Sequence, residues 1–157
     1  MVKTYRRLSD HEQVDLIDYL KKKIQPDTKI YIGADSQNIK TETIYAEVII
    51  LHHGNSGGHV LYTKYSVKRI KSSFERLWNE VDSSINLAIF LEENGIQKID
   101  YIDLDLNPDP KYKSNEVLRA ALGYVESMGF KARVKPNATA ASCCADYLLH
   151  RETFFTL

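Results

Sequence analysis

Apolar positions recur along this chain with two periods, one near four residues and one of two, and the switches between them mark its elements. From Asp10 to Ile24, the residues Val14, Ile17, Leu20 and Ile24 fall at helical spacing. Ser9 followed by Glu12 reads as a capping box, and Gln25-Pro26-Asp27 stops the segment. Lys21, Lys22 and Lys23 sit in its last turn, where cations favour the helix dipole; a solvated turn explains them better than a phosphate contact. Three strand-like runs follow: Lys29 to Asp35, about Thr41 to His52, and His59 to Val67. The glycines of the 52–59 connection mark a hairpin loop. Its histidines sit on a surface turn, where a mobile tip holds metal poorly. Short connections between the three runs predict an antiparallel meander.

The helical period returns at Ser72. Ser72 and Glu75 form a second capping-box pattern, Phe74, Leu77, Val81, Ile85, Ala88 and Ile89 make the apolar stripe, and Asn94-Gly95 ends it. A fourth strand is expected over Gln97 to Leu106. Ser114 caps a third helix with Val117, Leu118, Ala121, Leu122, Val125 and Met128 on its inner face, closed by Gly129. A short fifth strand, Lys131 to Val134, leads to a last helix over about Ala138 to His150. The tail through Phe154 and Phe155 is expected to pack on the domain or on a second subunit, as in a homodimer.

The predicted order is thus a helix, then β-β-β-α-β-α-β-α. This is an α/β chain with a five-stranded mixed sheet: three antiparallel strands first, two parallel additions afterwards, and flanking helices. Its 157 residues suit one domain, with residues 1–26 as an N-terminal helical extension. Lys plus Arg and Asp plus Glu are both 21, so the net charge is zero and the simplest argument for a nucleic-acid binder, a strongly basic domain, does not apply. Lys64, Lys68, Arg69 and Lys71 still form a local basic cluster, which reads equally as a phosphate contact or as protection of a strand edge. No apolar run is long enough to span a bilayer, and the N-terminus does not read as a signal peptide. Cys143 and Cys144 are adjacent, which disfavours both a disulfide and a zinc pair; buried thiols in a cytoplasmic protein are expected.

The acids change the picture. Asp35 closes the apolar run Lys29-Ile30-Tyr31-Ile32-Gly33-Ala34, where small residues allow close approach. A carboxylate there is costly to bury unless a cation neutralises it. Taken alone, Asp35 would be a turn residue. Asp103 and Asp105 alternate with Ile102, Leu104 and Leu106, so both project from one face of the fourth strand, where each raises the other's pKa unless a cation intervenes. Glu75 and Glu80 lie five apart on the long helix and cannot share a face. Glu75 is engaged as a cap, which leaves Glu80 as the preferred functional acid. Asp146 in the last helix reads as an exposed acid when taken by itself.

With Ile32-Gly33-Ala34-Asp35-Ser36-Gln37, Asp103-Leu104-Asp105-Leu106, and Val134-Lys135-Pro136-Asn137 followed by Ala141-Ser142, the chain resembles the ribonuclease H-like superfamily over about Lys29 to Arg151. Within it the chain looks like the YkuK family. That resemblance implies a ribonuclease H-like fold and a two-metal-ion nuclease acting on RNA, an RNA–DNA hybrid or structured DNA. Asp35, Glu80 (or Glu75), Asp105 (or Asp103) and Asp146 are the matching catalytic and metal-binding acids, holding two Mg²⁺ or Mn²⁺ ions. Such ions take hard oxygen ligands, and a pair roughly 3.5–4 Å apart can activate water and stabilise the leaving oxygen. Lys111, Lys113 and Lys135 are candidates for neutralising flanking phosphates, and Ser36 and Gln37 for orienting a nucleotide. The runner-up is a catalytically silent module on the same fold that binds nucleic acid or protein. An actin-like phosphotransferase ranks lowest, because it needs two such halves around a nucleotide.

Overall fold

The computed structural model describes residues 2–96, 98–112, 115–135 and 140–151. Lys113, Ser114, Pro136, Asn137 and the tail beyond Arg151 lie outside the described residues, as do the side chains of Ala141, Ser142 and Cys143.

The element order is β1 (Thr4–Arg7), β2 (Gln13–Asp15), α1 (Leu16–Lys23), β3 (Thr28–Ile39), β4 (Glu42–His53), β5 (Gly58–Lys68), α2 (Ser73–Glu93), β6 (Tyr101–Leu104), α3 (Asn115–Ser127), β7 (Ala132–Val134) and α4 (Ala140–Arg151). The strands form one mixed sheet in the order β2-β1-β5-β4-β3-β6-β7. Its centre is the expected antiparallel meander: β3 pairs with β4 along its whole length, and β4 with β5. The two later strands are parallel, β6 to β3 and β7 to β6. The sheet therefore has seven strands rather than five.

The two extra strands come from the segment expected to be helical. Helix α1 starts only at Leu16, because Asp15 is its N-cap and accepts the Asp18 N–H at 2.9 Å. Upstream, Arg6 and Arg7 pair with Tyr62 and Leu61 at the open edge of β5, and β2 pairs back on β1. A sheet edge that satisfies backbone groups outweighs the helical spacing of Val14, while Ile17 and Leu20 stay in α1. Ser9 is no cap; Asp10 takes the Glu12 N–H and the Arg7 guanidinium, and His11 turns the chain at φ 62°. The fourth expected strand is also shorter. Lys98 at φ 77° interrupts it, and only Tyr101–Leu104 joins the ladder, with Asp105 and Leu106 just beyond its end.

Alternation on β3 and β6 assigns the two sheet faces. Ile30, Ile32, Ile102, Leu104 and Leu106 face α1, α2 and α3, where they meet Leu16, Leu20, Val81, Ile85, Leu91 and Val117 in the main core. Fully burying one such side chain stabilises the fold by roughly 1.5–3 kcal/mol. The long helix begins where Ser72 accepts the Glu75 N–H and ends at Asn94, with Gly95 at φ 85°. Phe74 and Met128, assigned to buried stripes, are instead exposed, Phe74 in the first turn of α2 and Met128 just after α3. On the opposite face α4 covers the meander, packing Ala145, Leu148 and Leu149 on Ala46, Val48 and Tyr62. In the β4–β5 connection Gly54 and Gly57 take positive φ, as a turn requires. Its flanking histidines are held by neighbours, His53 by Thr28 and His59 by Tyr19. No described helix is long and apolar enough to cross a membrane.

Candidate acidic site

Asp35 lies within β3 rather than at its end, since the strand continues to Ile39 and pairs Asp35 with Ala46. The parallel register sets Gly33 beside Asp103, so continuing it by two residues puts Asp105 beside Asp35. Ser36, the next residue, turns to the α2 side of the sheet, where its hydroxyl donates to Glu80 Oε1 at 2.5 Å. Glu80 is buried in α2 and borders one small void together with Ala34, Asp103, Asp105 and Leu106. Asp146 joins from α4.

The electrostatics show the convergence. Burial pushes the Asp35 carboxyl up to about 7, and Asp105 and then Asp146 add to this; the Ser36 N–H and the Arg76 guanidinium pull the other way. Glu80 lies well above the usual carboxylate range, through burial first and then Asp35, with Asp105 contributing further. Acids distant in sequence therefore interact around one point.

Each acid of the cluster also has a local partner. Lys135 Nζ lies 2.6 Å from Asp105 Oδ1, His150 Nε2 lies 3.1 Å from Asp146 Oδ1, and Ser36 holds Glu80. Among the described residues, no three acidic, histidine or cysteine side chains are already drawn into a metal-holding group. The donor set nevertheless fits a hard divalent cation: the carboxyls of Asp35 and Glu80 are both held above the usual range by desolvation and neighbouring acids, which the charge of Arg76 does not offset.

Other expected site residues are placed differently. Glu75 is exposed at the start of α2, where Ser72 accepts its N–H, whereas Glu80 is buried. Asp103 and Asp105 take different partners. The Asp103 side chain is fully buried, and Arg133, its neighbour in the β6–β7 register, grips it with Nε at 2.8 Å and Nη2 at 2.9 Å. The guanidinium also lies over the stacked rings of Tyr31 and Tyr101. Both oxygens of Asp103 are engaged by this fixed fork, and the residue borders the same small void as Glu80 and Asp105. Lys111 sits at the surface with its ammonium 3.6 Å from Asp109, while Lys135 stands at the cluster. Gln37 Oε1 is buried with no hydrogen-bond partner among the described residues.

Two arginines escaped the sequence reading. Arg133 was detectable only from its register opposite Asp103, which requires the strand pairing. Arg76 stands four residues before Glu80 on α2, a spacing that places both on one helix face.

This fold and its acid cluster define a class, and the chain belongs to the ribonuclease H-like family, whose model matches residues 13–149. Among solved structures it is similar to the N-terminal RNase H domain of rv2228c from Mycobacterium tuberculosis, determined as a fusion with maltose-binding protein. That match has 12% identity and TM-score 0.42 and covers 83% of this chain and 99% of the other. It is also similar to RNase H1 from the halophilic archaeon Halobacterium salinarum NRC-1, at 16% identity and TM-score 0.40, over 79% of this chain and 98% of that one. No curated protein matches the chain.

Proposed function

We propose that this chain is a metal-dependent nuclease that hydrolyses phosphodiester bonds of RNA, an RNA–DNA hybrid or structured DNA. Its ion-holding residues are Asp35, Glu80 and Asp105, with Asp146 completing the set. The observation that carries this reading is the Asp35 carboxyl, half-buried on a central strand and raised in pKa by desolvation and by the charges of Asp105 and Asp146. Packing alone does not account for acids gathered at the centre of a family fold. When bound, Mg²⁺ or Mn²⁺, as a pair of ions, supplies Lewis acidity for water activation and for the charge on the leaving oxygen. The chain's own residues do the rest. Strand β3 fixes Asp35, Ser36 orients Glu80, Lys135 contributes positive charge beside Asp105, and Gln37 offers a buried acceptor. Within the family we assign the chain to the YkuK type, on its Ile32–Gln37 and Asp103–Leu106 stretches.

Cleavage of labelled RNA, RNA–DNA hybrid and branched DNA with Mg²⁺ or Mn²⁺ tests the proposal. Wild-type protein cuts at least one of them, and Asp35→Asn loses the activity by orders of magnitude. Equal cleavage by both proteins would assign the activity to a contaminant. Binding without cleavage by wild-type protein would favour the silent module.

A further inference from the structure

Between α2 and the outer strands of the meander lies a groove of about 520 Å³. Asn79, Asp82, Ser83 and Asn86, which share one face of α2, line one wall, and Tyr45 of β4 and Tyr65 of β5 line the other. A polar helix stripe set against an aromatic strand surface is not how a helix packs on a sheet. The walls are nevertheless fixed. Tyr45 and Tyr65 are opposite each other in the β4–β5 register, and their rings stack at 5.3 Å with 14° between planes. Asn79 donates to the Tyr45 hydroxyl, Tyr5 and Ser83 both donate to Glu47, and the Tyr65 hydroxyl reaches Ser83 Oγ at 3.4 Å. Tyr65 and its neighbour Val67 stay 39% and 38% exposed, so a ligand can reach this surface.

Three features select what can enter. A fixed, exposed tyrosine ring takes a second flat ring by offset stacking. The carboxylates of Glu47 and Asp82, which border the groove, take hydrogen-bond donors from that ring's edge. Lysines stand at both ends: Lys68 closes β5, and Lys3 lies over the Phe90 ring, one turn beyond Asn86. They attract negative charge on either side of the ring. An unpaired nucleobase in a single strand supplies all three, with its π-face, its exocyclic amino group and its flanking phosphates. A base paired in a duplex offers neither a free face nor a free amino edge. A purely apolar partner would bury the Glu47 and Asp82 charges without compensation. The groove also adjoins the acid cluster: Asn79 precedes Glu80, and Tyr45 pairs in register with Ser36, which holds Glu80.

We infer that the groove between α2 and β4–β5 binds an unpaired base of a single-stranded nucleic acid, stacked on Tyr65, and prefers bases that carry an exocyclic amino group. This rests on the nuclease reading above and narrows its substrate. The nucleic acid held beside the acids has a single-stranded segment, as RNA or an arm of branched DNA has and a continuous hybrid has not.

The test measures binding in a chelator, where turnover does not interfere, with short labelled oligocytidine and oligouridine as probes over a series of salt concentrations. Wild-type protein binds oligocytidine, whose bases carry the amino group, more tightly than oligouridine. Tyr65→Leu weakens oligocytidine binding roughly five- to a hundredfold, the loss for one stacked base. Tyr65→Phe keeps the ring and stays close to wild type. Lys68→Ala reduces the slope of log affinity against log salt by about 0.7, the value for one phosphate contact on a single strand. If Tyr65→Leu does not fold, Tyr65→Thr, which keeps strand propensity, is read in its place. Equal affinity for the two probes, or equal binding by Tyr65→Leu and Tyr65→Phe, overturns the inference. So does a wild-type protein that cleaves with Mg²⁺ yet binds no single strand; each of these leaves the nuclease reading standing. A wild-type dimer that Tyr65→Leu dissociates, with no single strand bound, overturns the inference in favour of a second copy at the groove. Absence of both binding and cleavage overturns both readings.

Discussion

Replacing Asp35 by asparagine should stabilise the protein in alkaline solution without divalent ions, while abolishing its proposed activity. In the unfolded chain Asp35 ionises near 3.8; in the folded protein burial and the facing Asp105 raise this to about 7. A folded-state value above the unfolded one means that the folded state binds the proton more tightly. The associated stability is fully present below the unfolded value and is lost as pH rises from about 4 to about 7. At roughly 1.4 kcal/mol per pH unit the full loss is about 4 kcal/mol. Coupling to Glu80, which shifts in the same direction, spreads part of that loss over the cluster, so ~2–4 kcal/mol is expected for Asp35. Asparagine keeps the shape and can still accept the Ser36 N–H through its amide oxygen, but it never ionises. At about 2–4 °C per kcal/mol for a domain of this size, Asp35→Asn should melt roughly 4–16 °C above wild type at pH 8 in a chelator. Most of that advantage should be gone at pH 4. Millimolar Mg²⁺ should narrow the gap at pH 8 by stabilising wild type alone. Differential scanning calorimetry at both pH values, with and without the ion, reads all of these. An asparagine variant no more stable than wild type at pH 8, or equally stabilised at pH 4, would refute the burial and convergence argued for Asp35.

Two further outcomes follow from the same geometry. Glu80→Gln should remove nuclease activity and Glu75→Gln should leave it within about twofold, since Glu80 is buried against Ser36 while Glu75 is exposed; single-turnover cleavage decides between them. Arg133→Ala strands the fully buried Asp103 carboxylate and should destabilise the fold by about 3–5 kcal/mol, read as a fall in the denaturant midpoint with unchanged slope.

The sequence carries the sheet's centre because period-two alternation and strong caps coincide there. β3, β4, β5 and α2 all fall within a residue or a few of their expected bounds, and Ser72 caps α2 as its pattern requires. The N-terminal segment misleads for a physical reason: Tyr5 and Val14 serve a sheet edge whose partner, β5, lies more than forty residues away along the chain. Local spacing cannot register a distant ladder. The same limit governs the site. Asp35, Glu80, Asp103 and Asp105 stand out as candidates by strand and helix position, but the grip of Arg133 on Asp103 depends on the β6–β7 ladder. Arg76 looks like any surface arginine of a helix until its Nε is found buried without a partner.

The most direct measurement of the central claim is the anomalous scattering of manganese in crystals of the protein grown or soaked with Mn²⁺. The account predicts ion density bounded by the carboxylates of Asp35, Glu80 and Asp105, with Lys135 drawn off Asp105, and its loss in Asp35→Asn crystals. Manganese bound only elsewhere, with Asp35 and Glu80 still turned to their present partners, would contradict it.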